Sequence, residues 1–284
     1  MSLKLRTATG LTMGLIMIAA CLFDPITCTL LFLLINVLCL WELGTHLLAH
    51  DGTPLTNQMR HGAFVLIGSF LPVLAALVWI FGQPELYWMI YFFPFAVALL
   101  FLFELFGKSL KPFHNIASVS LGVVYVSIPM SLAIWMCSSP IPAFGGVGNY
   151  FMMAVFFMVW ASDVFAYLVG SRIGKNKMFP RISPNKTWEG TLGGVLGAIV
   201  TGFLCSLLFE RLNFPLGFWI GAACICTIFG VLGDLVESMF KRSLGIKDSG
   251  RLLPGHGGFL DRFDAFIFVV PFVFTYIMIY FQAW

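Results

Sequence analysis

Residues 238–264 read SMFKRSLGIKDSGRLLPGHGGFLDRFD and stand between two long apolar runs. Lys241, Arg242, Lys247, Asp248, Arg251, His256, Asp261, Arg262 and Asp264 all fall inside this stretch, whereas the rest of the chain is sparsely charged. In a bilayer an ionised side chain costs several kcal/mol unless it reaches water, a partner or a metal. The segment therefore marks a lipid–water boundary and locates the chemistry.

Outward from it, the composition explains the contrast. With 60% apolar, 16% aromatic and 10% charged residues among 284, the chain has too little polar surface to cover a soluble globule. A helical span takes roughly 20 apolar residues. Nine stretches qualify: 10–24, 26–49, 61–82, 86–107, 115–138, 150–170, 191–210, 214–239 and 265–282. The expected fold is an all-α, polytopic integral membrane protein of about nine transmembrane helices, forming one membrane domain over 1–284. Residues 1–149 read as scaffold spans and 150–284 as catalytic spans with their loops, because Gly, Asp, Lys and Arg concentrate after residue 150. A lipoprotein signal over 1–21, ending Ile18-Ala19-Ala20-Cys21, is disfavoured, since no soluble domain follows to be exported.

Basic residues of short loops mark the cytoplasmic side. In the nine-span layout Lys4, Arg6, Arg60, Lys108, Lys111, five from Arg172 to Lys186 and five from Lys241 to Arg262 share one face, and Arg211 alone lies opposite. The N-terminus and the polar segment are thus expected on the cytoplasmic side of the membrane. Two basic inner loops suit an anionic ligand such as a lipid headgroup or a nucleotide; no nucleic acid partner is indicated.

Several patterns carry less. Glu42, His46 and His50 recur every fourth residue at the inner end of the second span, where Trp41 and the two imidazoles read more simply as headgroup-boundary residues than as part of a metal site. Gly190, Gly193, Gly194 and Gly197 read as a helix-packing seam. The run from Gly170 to Lys175 has three residues between its glycines where a phosphate loop needs four. The seven cysteines form no disulfide framework or thiolate metal site.

The chemistry-bearing residues fall into three groups. Asp163 lies inside the span 150–170. Asp234, Glu237, Ser238 and Lys241 share one helix face, and Asp261 and Asp264 do the same three residues apart. Carboxylates brought to one level suit a hard divalent cation such as Mg²⁺, with pairing to Lys241, Arg242 or Arg262 as the alternative. Gly250, Gly255, Gly257 and Gly258 allow close approach to a ligand. FPRISPNKTWEG, residues 179–190, sets Arg181, Asn185, Lys186 and Glu189 at a helix start, where free N–H groups favour anions.

Residues 238–266, SMFKRSLGIKDSGRLLPGHGGFLDRFDAF, closely resemble the signature of phosphatidate cytidylyltransferases, also called CDP-diacylglycerol synthases. GDLVES at 233–238, SPNKTWEG at 183–190 and WASDVFAYLVGSRIGK at 160–175 support the resemblance in family order; LWELG at 40–44 is a weaker echo. It is strong over about 155–270. The resemblance implies cytidylyl transfer from CTP to phosphatidic acid, giving CDP-diacylglycerol and pyrophosphate, with Mg²⁺ and a second, monovalent cation such as K⁺. On that reading Asp234, Asp261 and Asp264 are expected as metal ligands, supported by Asp163 and Glu237. Lys241, Arg242, His256 and Arg262 are expected at the reacting phosphates, and Asn185, Lys186, Glu189, Ser238, Lys247 and Asp248 at the substrates. The bilayer supplies the lipid, and a homodimer is compatible with the reading, although no residue specifies one.

Rival classes fit less well. A CTP-dependent polyprenol or dolichol kinase would need a base for its hydroxyl acceptor. A CDP-alcohol phosphotransferase would need an Asp-Gly pair where Asp248 is followed by Ser249; an intramembrane prenyltransferase is weaker still. An ion-coupled transporter would place its acids near mid-bilayer.

Overall fold

The computed structural model describes residues 3–107, 109–138, 147–250, 252 and 257–281, with side chains from residue 9 onward. Among the described residues, ten α-helices follow one another. Helix α1 (Leu3–Phe23) stops at Asp24, whose carboxylate accepts the Ile26 N–H at 2.6 Å and so caps α2 (Pro25–Leu47). Thr53 caps α3 (Pro54–Phe81) in the same way, and Gly82 closes it with a left-handed φ of 60°. A 3₁₀ segment (Pro84–Phe92) leads into α4 (Phe93–Phe106). Helices α5 (Pro112–Gly122) and α6 (Ile128–Ser138) are joined through a π turn at Val123–Ser127. Then come α7 (Gly148–Ile173), a hairpin of β1 (Lys177–Phe179) and β2 (Ser183–Thr187), α8 (Trp188–Leu208), α9 (Leu216–Ser243) and α10 (Leu260–Tyr280).

Among the described residues, eight helical stretches are long and apolar enough to cross a membrane, and Thr9–Phe23 is a shorter apolar helix. The chain is an all-α polytopic membrane protein. Several helices overrun the apolar stretches that announced them: α3 starts at Pro54, α9 continues to Ser243 and α10 starts at Leu260. Hydropathy registers only the lipid-immersed part of a helix, whereas backbone hydrogen bonding carries the helix on into polar sequence.

The chemical half is built tightly. Helix α7 packs along α8, and α9 against both α8 and α10. A Cβ at Gly190 would lie 2.8 Å from the Ala166 carbonyl oxygen, and one at Gly194 would lie 2.9 Å from that of Ser162. The small-residue seam of α8 therefore serves helix packing against α7. Helix α10 also packs on α6 and α2, so the later helices rest on the earlier ones.

Arg60 illustrates why a charge can be tolerated at depth. Its side chain is 1% exposed; Nε donates to Glu104 Oε1 at 2.9 Å, and Nη1 donates to Ala49 O at 2.6 Å and Asp51 Oδ1 at 3.1 Å. Asn115 Nδ2 donates to the other Glu104 oxygen at 3.0 Å. Burial works against ionisation of Asp51, yet the Leu110 N–H, the Ser109 hydroxyl and Arg60 together hold its carboxyl below the usual range. The network ties α3, α4 and α5 at the end of the bundle that also holds the polar segment. Removing one partner of a buried pair strands the other charge, at a cost of about 3–5 kcal/mol. Glu104→Ala should therefore lower the thermal unfolding midpoint in detergent more than the double change Arg60→Met with Glu104→Leu, a comparison readable by circular dichroism.

Candidate functional site

Helical periodicity sets the first wall of the site. On α9, Asp234, Glu237, Ser238 and Lys241 follow at i, i+3, i+4 and i+7 and share a face. The Ser238 hydroxyl donates to Asp234 Oδ1 at 3.2 Å. Helix α10 supplies the second wall, and Gly233 allows the two to meet. A Cβ at Gly233 would lie 3.0 Å from the Asp264 carbonyl oxygen and 3.1 Å from Ala265 Cα. This close approach brings one carboxylate oxygen each from Asp234, Glu237 and Asp264 within 4.8 Å of one another.

Two lysines border the group. Lys186, from β2, reaches Asp234 Oδ2 at 2.6 Å and donates to the Val231 carbonyl at 3.1 Å. Lys241 pairs with Glu237 and donates to Asp261 Oδ1 at 2.7 Å. The second Asp261 oxygen accepts the backbone N–H groups of Ser249 at 2.9 Å and Gly258 at 2.8 Å. Asp261 was expected as a ligand and Glu237 as a support. Their placements are the reverse: Glu237 stands in the tight group, while both oxygens of Asp261 face Lys241 and the loop backbone.

The trio fits a divalent cation on chemical grounds. Its donors are all hard oxygens, the type Mg²⁺ takes. Glu237 Oε1 is also buried without a hydrogen-bond partner, a costly condition unless something positive binds there. Asp163 stands at the junction of two cavities beside this group. One, about 670 Å³, is lined by Asp163, Ser171, Lys177, Ser183, Asn185, Lys186 and Asp234 among others. The other, about 460 Å³, lies between α1, α7 and α10 and combines Met13, Phe156 and Trp160 with Asp163, Asp261, Arg262 and Asp264.

Other expected residues occupy different places. The Glu189 carboxylate accepts the N–H groups of Lys175 and Asn176 at 3.1–3.2 Å and the Asn176 side chain at 2.7 Å, so it holds the turn before β1. Arg242 donates to the Ile246 carbonyl at 3.1 Å and closes the end of α9. Lys247 and Asp248 line a third cavity, with Trp41, Thr45 and His46. His256 lies outside the described residues. Sequence reasoning missed Lys177 and Ser183 as cavity residues, since a lysine and a serine in a short polar loop carry no distinctive spacing.

It also left the role of Glu42 open. The side chain is 4% exposed and stands against the loop. With His46 it joins no group of three or more potential metal ligands among the described residues. The available signal was a carboxylate in an apolar span, one turn before a histidine.

Comparison with known proteins places these features in context. The model of the cytidylyltransferase family matches residues 4–280. A phosphatidate cytidylyltransferase of Staphylococcus aureus (strain COL) is 50% identical over 124 residues, 44% of this chain and 47% of the relative. Its counterpart in Bacillus subtilis (strain 168) is 38% identical over 183 residues, 63% and 65% of the two chains. That of Staphylococcus haemolyticus is 48% identical over 124 residues. The chain thus spans about half the length of the staphylococcal relatives it matches and just under two thirds of the Bacillus one.

A ligand that binds only the folded state stabilises it by about 2.7 kcal/mol at a hundred times its Kd. Mg²⁺ should therefore raise the thermal midpoint of the purified protein, and EDTA should reverse the shift. Glu237→Gln combined with Asp264→Asn should remove the response, as differential scanning fluorimetry would show.

Proposed function

The chain belongs to the cytidylyltransferase family, and on that premise we propose that it transfers the cytidylyl group of CTP to phosphatidic acid, forming CDP-diacylglycerol and pyrophosphate. The observation that carries the reading is the three-carboxylate group of Asp234, Glu237 and Asp264, bordered by Lys186 and Lys241 and flanked by two cavities that share Asp163.

The two cavities differ as two such substrates would require. The one lined by Lys177, Ser183, Asn185 and Lys186 offers donors for a triphosphate. The one against α1 offers Met13, Phe156 and Trp160 for acyl chains and Arg262 for a phosphate. In the reaction an oxygen of phosphatidic acid forms a bond to the α-phosphorus of CTP, and the bond from that phosphorus to the bridging oxygen breaks, releasing pyrophosphate. The attacking phosphate monoester, with a second pKa near about 6, is already largely ionised at neutral pH. No side chain has to remove a proton.

The obstacle is repulsion between two anionic substrates, which positioned cations relieve. Asp234, Glu237 and Asp264 would hold Mg²⁺, which when bound offsets phosphate charge and orients the oxygens. A monovalent cation such as K⁺ could assist beside it. Lys186 faces the polar cavity and Lys241 the junction with α10, so each can pair with a phosphate once a bound ion relieves its carboxylate. The excess of basic residues at this end of the bundle supports a site on the cytoplasmic side of the inner membrane.

The test supplies purified protein with phosphatidic acid, Mg²⁺ and CTP labelled at the α or the γ phosphorus. Label from the α position should enter the lipid and that from the γ position should leave in pyrophosphate; γ label in lipid would overturn the reading in favour of a kinase. Asp234→Asn and Asp264→Asn, which remove charge but little volume, should each lower turnover by on the order of a hundredfold or more while the protein stays folded.

A further inference from the structure

Helix α2 belongs to the first half of the chain, yet it ends against the signature loop. Glu42 Oε2 accepts the Ser249 hydroxyl at 3.1 Å and the Leu260 N–H at 2.8 Å. The His46 ring nitrogen Nε2 lies 2.6 Å from the Ser249 carbonyl oxygen, one turn further along the same face. Ser249 is fully buried, and all three of its polar groups are engaged: the N–H with Asp261, the hydroxyl with Glu42 and the carbonyl with His46.

These contacts join the two described arms of the loop, 244–250 and 257–260. Glu42 bridges Ser249 on the first arm to Leu260 at the start of α10, and Asp261 bridges Ser249 to Gly258. The seat leaves no spare room. A Cβ on Gly258 would lie 2.7 Å from Glu42 Oε2, and one on Gly250 would press on the same carboxylate. The Leu260 N–H is one of the amides a helix start leaves without an intrahelical partner, where a carboxylate oxygen is a favourable acceptor.

We infer that Glu42, aided by His46, is a positioning residue for the reaction: it clamps Ser249 and the N-terminus of α10, and thereby fixes Asp261, its partner Lys241 and the neighbouring Asp264. The inference rests on the cytidylyl-transfer reading above, but its structural part does not. What the clamp requires of residue 42 is an acceptor oxygen of the right reach, so glutamine can serve and alanine cannot. A displacement of about 1 Å at reacting groups can cost on the order of a hundredfold in rate.

The experiment compares wild type, Glu42→Gln, Glu42→Ala and Ser249→Ala, each checked for fold by size exclusion and thermal midpoint. It measures α-label transfer from CTP to phosphatidic acid, together with amide hydrogen exchange. Glu42→Ala should lose about a hundredfold in kcat with KM for CTP nearly unchanged, while Glu42→Gln stays within about fivefold of wild type. Peptides covering 244–250 and 257–262 should exchange faster in Glu42→Ala than in wild type or Glu42→Gln. Near-normal kcat in Glu42→Ala would overturn the inference. So would Glu42→Gln failing as badly as Glu42→Ala while folded, or a loss confined to KM.

If Glu42→Ala does not fold, Ser249→Ala decides, with about a tenfold loss of kcat and faster exchange at the Leu260 end expected, and no change in either overturning the clamp. If wild type transfers no α label, the cytidylyl-transfer reading fails. The exchange contrast between Glu42→Gln and Glu42→Ala then still accepts or rejects the clamp.

Discussion

Mutual repulsion among Asp234, Glu237 and Asp264 is the constraint around which the second half of the molecule is arranged. Two like charges 4 Å apart cost about 4 kcal/mol at the effective dielectric of a protein near its surface. Three carboxylate oxygens held within 4.8 Å are therefore favoured by nearby positive charge. Lys186 and Lys241 answer part of that demand from β2 and α9. The bare Oε1 of Glu237 indicates that the demand is not fully met by protein groups. Gly233 enforces the arrangement, because only a residue without a Cβ lets α9 and α10 come close enough to press the acids together.

Around this group, neighbouring residues differ in whether they line a cavity or hold a neighbour. Lys186, Asn185 and Asp163 line space large enough for a substrate. Glu189, Arg242 and Asp261 instead accept from or donate to backbone groups and fix the turns that carry the first set. Charged residues in a signature motif thus also serve the backbone around them. Many satisfy the loop's own amides and carbonyls, which at the edge of a bilayer have few other partners.

The helical fold was legible from hydropathy, because twenty-odd apolar residues have few alternatives in lipid. The helix faces were legible too: the spacing of Asp234, Glu237, Ser238 and Lys241 requires one face once a helix is granted. Boundaries were less legible, since α3, α9 and α10 all continue past their apolar segments. The β1–β2 hairpin went unseen, because KMFPRISPNKT contains no alternation long enough to announce strands. The roles of Asp261 and Glu237 could not be ordered from sequence, as each is an acid one helical turn from another charged group.

By itself, then, the sequence determined that the chain crosses a membrane as a helical bundle, that its acids and lysines gather at one end, and which family signature they compose. The first two follow from local composition and periodicity, which act over one helix at a time, and the third from resemblance of the motif residues themselves. Only the tertiary structure decided which three carboxylates converge, that Asp163 stands between two cavities, and that Glu42 closes on a loop more than two hundred residues away. Those outcomes depend on how closely α9 meets α10 and where α2 ends against both. Such distances are set by packing between helices, and no single segment encodes them.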